Sequence, residues 1–325
     1  MKRLLITFSL FLFTFALVGR AFAQSTVYFT KEITPEALVK IYKALGVEAK
    51  GHVAVKISTG EGGNNHYLKP TLIRNLVEEV NGTIVECGTA YGGTRQDPQK
   101  HWETIHEHGF DSIFAVDIMD EYGQMRIPVK DQKHIKYDIV GDHLANYDFM
   151  INLAHFKGHA MGGFGGVLKN ASIGVASTAG KCYIHSAGRS IDPATAWNPG
   201  ILAKGDTQDQ FLESMAAAAQ AVHDYFDGGK NVIYINVMNN MSVDCDCDGH
   251  PAEPKLKDMG ILASTDPVAL DQACLDKVFT HKAKEGDDEK PLIERINRQH
   301  GTYITDYAEQ IGLGSKKYVI VDIDK

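Results

Sequence analysis

What most constrains the fold of this chain is a repeated unit: a short apolar run, a glycine-rich polar loop, then an amphipathic helix. "HVAVKIS" leads through "TGEGGNNHY" into "KPTLIRNLVEEV", and "TIVECGT" through "AYGGTRQDP" into "QKHWETIHEH", which Gly109 closes. "DSIFAVDIM" reads as a third strand and "DFMINLAHF" as a fourth, followed by "KGHAMGGFGG" and a short helix from Val167. Runs that are apolar on both faces must be buried on both, and strands alternating with helices pair in parallel. The pattern predicts an α/β fold, a mainly parallel sheet flanked by helices, with room for two lobes around a cleft. The Gly/Pro-rich stretch 186–205 is where such lobes would part.

The same reading extends to both ends. Thr34 and Pro35 start a helix whose apolar face is Leu38, Ile41, Tyr42 and Leu45. "TQDQFLESMAAAAQAVHDYF" is the clearest helix, with Thr207 and Gln210 spaced as a capping box. "NVIYINVMN" and "GILAS" are strands, "TDPVALDQACLDKVF" is a helix capped by Asp266, and two helical stretches precede a final strand, "KYVIVDI".

The first 25 residues, "MKRLLITFSLFLFTFALVGRAFAQS", combine a basic start, an apolar run and a small-x-small site. Residues 1–23 therefore read as a secretory signal cut after Ala23, leaving 24–325 as a single exported α/β domain, periplasmic or secreted. The net charge is −8 and no basic block follows the leader, which argues against a nucleic-acid partner. No later run is long and apolar enough to span a bilayer, so no membrane association is expected after cleavage.

In parallel α/β sheets ligands bind beyond the carboxyl ends of the strands, and here the polar residues follow the strands. "HFKGHAMGGFGGVLKN" places His155 and His159 four apart around Lys157, and its glycines let backbone amides approach a ligand. Gly165, Gly166 and Lys169, at a helix start, form a candidate anion site. Lys157 is a candidate electrostatic clamp, with His159 or His66 as acid/base; His66 shares its loop with Glu61. Cys182 and His185 in "GKCYIHS" amount to half a zinc site, and half a site is weak evidence.

"DCDCDGH" admits two metals. Asp244, Asp246, Asp248 and Gly249 match the opening of a calcium loop, but its twelfth position, where a bidentate glutamate belongs, is Lys255. Cys245 and Cys247, two apart on an extended backbone, share a face with His250 able to curl back, a donor set suited to zinc or iron. The soft metal is the preferred reading, with Cys245, Cys247, His250 and His155 as ligands; calcium is the alternative. In an oxidising compartment, a disulfide among the five cysteines competes with both.

"HVAVKISTGEGGNNHYLKP", "HFKGHAMGGFGGVLKNASIGVASTAGK", "CDCDGHPAEPKLKDMGILASTDPVALDQA" and "IGLGSKKYVIVDI" resemble, in order, the bacterial family called domain of unknown function 362, iron–sulfur-centre proteins of uncharacterised activity. The resemblance supports the two cysteines over the aspartates, since the family shows Cys-Asp-Cys there. It also implies a ferredoxin-like insert after "GKCYIHS", yet no cysteine lies between His185 and Phe211, so a [4Fe–4S] cluster is not expected. The combined expectation is the family's core domain as an exported metal-binding protein. It would be either a metal-dependent enzyme acting on a small anionic substrate or a non-catalytic module binding a metal or small ligand.

Overall fold

Two strands buried along their whole length, Phe149–His155 (β7) and Val232–Met238 (β10), lie side by side and parallel, with Ile151 opposite Ile233 and Leu153 opposite Ile235. They form the middle of an eight-stranded sheet in a computed structural model that describes residues 24–325. The secretory-signal expectation, on residues 1–23, lies outside the described residues. On one side of β7 come Val53–Lys56 (β2), Thr83–Glu86 (β3) and Val116–Ile118 (β4), all parallel. On the other side of β10 come Gly260–Ser264 (β11), Ser25–Thr30 (β1) and Tyr318–Asp322 (β12). β11 alone runs antiparallel to its neighbours, so the sheet is mainly parallel, as predicted. Two hairpins stand outside it: Gln124–Pro128 (β5) with Tyr137–Gly141 (β6), and Lys157–His159 (β8) with Gly163–Gly165 (β9).

Strand residues alternate between two cores. Val53, Val55, Ile151, Leu153, Ile233 and Ile235 pack under helices Pro35–Ala44 (α1), Pro70–Glu79 (α2) and Pro98–Glu107 (α3). Ala54, Met150, Ala154, Val232 and Tyr234 face the opposite layer. That layer holds Val167–Ser172 (α4), Thr178–His185 (α5), Gln208–Tyr225 (α6), Pro267–Phe279 (α7) and Tyr303–Gln310 (α9), with Lys290–Arg298 (α8) beside the β8–β9 hairpin. No lobe break falls in 186–205: the strands before and after it, β7 and β10, are neighbours in one sheet.

The capping box does not form as predicted. A tight turn over Gly205–Thr207 leaves Thr207 outside the extended region (φ −111°, ψ 13°). Its hydroxyl turns back to accept from Lys204 N (3.1 Å), and Gln210 pairs with Arg189 instead. Asp266 does cap α7, accepting from Val268 N and Ala269 N (2.9 and 3.0 Å).

One carboxyl in this framework is poorly served. Asp138, fully buried in β6, accepts only from its neighbour Ile139 N, and its other oxygen has no partner. Burial pushes its pKa up to about 7, against weaker pulls from Ile139 N–H and Lys181. The folded chain therefore keeps a proton that the unfolded chain releases near pH 4, and stability falls as pH rises from about 4 to about 7. Asp138→Asn should remove that slope, its advantage over the parent growing across this window by on the order of 3 kcal/mol in urea unfolding curves. Parallel curves for the two proteins would contradict the assignment.

Candidate functional site

Beyond β2 the chain runs outward to β3 and β4, then returns to β7 and continues to β10, so the loops diverge between β2 and β7. Such a switch point opens a crevice at the carboxyl edge. The loops that follow β2, β3, β7 and β10 meet there.

They are tied together by Asp246, which is 2% exposed. Its carboxylate accepts from His155 Nδ1 (2.8 Å) and Lys157 Nζ (2.7 Å), and its backbone carbonyl accepts from Glu61 N (2.7 Å). Burial alone would raise this pKa, but the charges and hydrogen bonds of Lys157 and His155 hold it far below the carboxylate range. His155 Nε2 donates to Asn239 O (2.6 Å). Both ring nitrogens thus face oxygens that only accept, and neither lone pair remains for the metal expected on His155. Lys157 likewise clamps Asp246 rather than an external anion.

Cys245 and Cys247 are joined to each other in a disulfide, and Cys87, Cys182 and Cys274 are free and buried. The imidazole beside the pair is that of His159: donor atoms of His159, Cys245 and Cys247 lie within 4.8 Å of one another. His159 Nδ1 accepts from Gly162 N (2.7 Å), which puts the proton of the neutral ring on Nε2. Burial, then the charge of Lys169, holds that ring's pKa well below its usual value. In this state the set does not fit a metal, because the sulfurs are bonded together and Nε2 carries hydrogen. His250, expected as a ligand, is exposed and outside the group; its N–H donates to Asp248 Oδ1 (2.9 Å). The calcium reading fails because the three carboxylates diverge: Asp244 pairs with Arg295 (3.1 Å), Asp246 is buried with His155 and Lys157, and Asp248 caps its own turn. Cys182 is packed against Ala90 and Ala196, while His185 stacks on Phe211.

The helix-start anion site is already filled. Val167 N and Leu168 N donate to the Asp271 carboxylate (2.9 Å each), and a Cβ on Gly166 would stand 2.3 Å from Asp271 Oδ1. Gly166 is glycine to admit that carboxylate. Gly165 lies against the lysine stems, where a Cβ would be 3.7 Å from Lys157 Cε and 3.8 Å from Lys169 Cδ. His66 does not meet Glu61: it faces Glu253 (3.7 Å), whereas Glu61 binds Thr94 and Arg95.

Of the residues expected to hold an anion, Lys169 alone reaches a cavity, and the cavity lies deeper than the sequence suggested. It is narrow, about 20 Å³, room for roughly one water molecule. Lys56, Arg95, Lys169 and Lys181 line it, against the single carboxylate of Glu86, with Tyr91 and Cys247 at its wall. Arg95 is committed to Glu86 (2.5 Å) and Glu61 (3.4 Å), and Glu86 also takes His101 Nε2 (3.1 Å). Burial would raise the Glu86 pKa, but Arg95 and His101 drive it far below the usual range. Lys56, pushed down to about 8 by burial, donates to Ile57 O and Asn170 Oδ1. Lys181 donates to Ala176 O (2.5 Å). Among the described residues the Lys169 ammonium has no hydrogen-bond or ion-pair partner, and burial, then Lys157, drives its pKa well below the usual lysine value. Outside this cavity is an open groove lined by Glu61, Tyr91, Gly93, Ala160, Cys245 and Cys247, and Cys247 borders both spaces.

Lys56, noted in the sequence only as a neighbour of Glu61 and His66, and Lys181 were given no role there, for different reasons. Lys56 ends an otherwise apolar strand, and a charge at the carboxyl end of a buried strand was a usable signal. Lys181 sits on α5, a helix the sequence pattern did not mark.

The chain belongs to the family described as Domain of unknown function (DUF362), whose model matches residues 53–276. That span holds every residue named at the crevice except Arg295. No curated protein matches the chain. Two solved structures are similar to it. One is the lactate racemase apoprotein from Thermoanaerobacterium thermosaccharolyticum, at 13% identity and TM-score 0.39, covering 66% of this chain and 50% of that one. The other is a protein from Thermotoga maritima, at 11% identity and TM-score 0.44, covering 83% and 58%. The chain thus spans between half and three-fifths of their lengths.

The Asp246 cluster should be costly to break. Asp246→Asn leaves Lys157 buried without a counter-charge, and removing one partner of a buried pair costs about 3–5 kcal/mol. Urea unfolding should show a loss of that size; a loss below about 1 kcal/mol, the level of a surface pair, would show the cluster is not structurally coupled.

Proposed function

We propose that this chain is an exported small-anion-binding protein whose ligand, a carboxylate or phosphate class anion, enters the cationic cavity at the β2–β7 crevice. The observation that carries this is Lys169: a half-buried amine lining the cavity beside Lys56, Arg95 and Lys181, with no acceptor of its own among the described residues. An ammonium partly shielded from water and crowded by like charges lacks a counter-charge, and an anion in the cavity would supply one. Arg95, already fixed by Glu61 and Glu86, would orient the ligand without reorganising. The cavity is too tight for such an anion as it stands, so binding includes movement of the loop carrying Cys247. Whether chemistry follows binding separates the enzyme reading from the binding-module reading, and Tyr91, with its pKa raised to about 12 by burial, is one of the hydroxyls at the wall, with Ser58 and Thr89.

A second reading, soft-metal binding, rests on the grouping of His159, Cys245 and Cys247. It applies only with the bridge reduced and the His159 proton moved off Nε2; zinc and iron both suit that donor set.

Isothermal titration with inorganic phosphate and with acetate tests the main reading. Lys169→Met should weaken binding by about tenfold, equivalent to about 1.4 kcal/mol, and added salt should weaken the parent much less than it would a surface site. Equal affinities for parent and variant, or no binding by the parent, would sink it.

A further inference from the structure

We propose that Cys245 and Cys247 form a reversible thiol–disulfide centre, entered from the outer groove at Cys247. The bridge has little structural reason to exist. A disulfide stabilises a fold mainly by closing a long loop in the unfolded chain, and this one encloses a single residue. That residue is Asp246, already fixed by His155, Lys157 and Glu61.

The two sulfurs are unequal in the way exchange requires. Both border the open groove, but Cys245 is 4% exposed whereas Cys247 is only half-buried. An external thiolate therefore reaches Cys247 first. The leaving sulfur is provided for: Cys245 Sγ already accepts from Cys247 N–H (3.2 Å). His159 stands beside it with its Nδ1 taken by Gly162 N and its Nε2 proton free to donate. A leaving thiolate that is stabilised departs faster. Of the remaining cysteines, Cys182 and Cys274 are buried elsewhere, and Cys87, which borders the inner cavity with Cys247, is a poor competing thiolate because burial pushes its thiol pKa well above the usual value.

The co-reactant is a low-molecular-weight thiol. Its thiolate attacks Cys247 Sγ; the new sulfur–sulfur bond forms as the Cys245–Cys247 bond breaks, and Cys245 Sγ leaves with the electron pair. A second thiolate then attacks the external sulfur of the mixed disulfide, releasing Cys247 as thiolate and a small-molecule disulfide. Two external thiols are oxidised, the protein bridge gains two electrons, and the reverse sequence oxidises the pair again.

Native protein is incubated with reduced glutathione, acid-quenched, alkylated and mapped by mass spectrometry. Cys245 and Cys247 should become alkylated while Cys87, Cys182 and Cys274 stay unmodified, and samples quenched early should carry glutathione on Cys247. With oxidised glutathione, C245S should take up one glutathione without denaturant and C247S none. The early-quench map uses the parent alone, so it decides the matter even where a variant does not fold. A bridge that resists glutathione until denaturant is added, or glutathione found on Cys245, would overturn the proposal. The phosphate titration reads Lys169 and the glutathione map reads the two sulfurs, so either idea can fail without the other.

Discussion

Everything at the carboxyl edge of this sheet hangs on one buried carboxylate. Asp246 comes from the loop after β10, yet its bonds run to the end of β7 through His155, to the hairpin beyond it through Lys157, and to the loop after β2 through Glu61 N. Two stretches of chain about 90 and 185 positions away are held by one residue. A carboxylate out of water is tolerable only with such partners, and Lys157 and His155 are equally dependent on it. This mutual dependence explains why residues that look like ligands in the sequence are absorbed by the protein itself.

The fold was largely legible because its signals are local and repeat. Strands buried on both faces leave unbroken apolar runs, and helices with Pro at the start and Gly at the end, as at Pro98 and Gly109, announce their limits. The elements that escaped are those without such marks. β1 is a strand of mixed composition at the sheet edge side, and α5 carries Gly180 and Lys181 on a short helix buried all round, with no amphipathic stripe.

The candidate site was legible as a place but not as a set of roles. Histidine, lysine and cysteine were expected at the strand ends, and the loops bearing them do meet. Which of them face outward depends on pairings between loops, and sequence spacing carries no trace of these. Asp271, a helix residue about a hundred positions from α4, takes the amides that a glycine-rich loop seemed to offer an anion. The alternation in "DCDCDGH" resolves by dispersal: its aspartates turn to separate partners, and its cysteines turn to each other.

The sheet edge carries a consequence for how the chain reaches this state. β1 is bonded on one side to β11 and on the other to β12, so Gln24 reaches across to Tyr318, 294 positions later. Contacts of such separation form late, because the intervening chain must be ordered before they repay its loss of freedom. The first strand of the domain therefore waits for the last. The inner strands, β2, β3, β7 and β10, can assemble and close the crevice while both ends are still loose, and the crevice is complete before the domain's edge is.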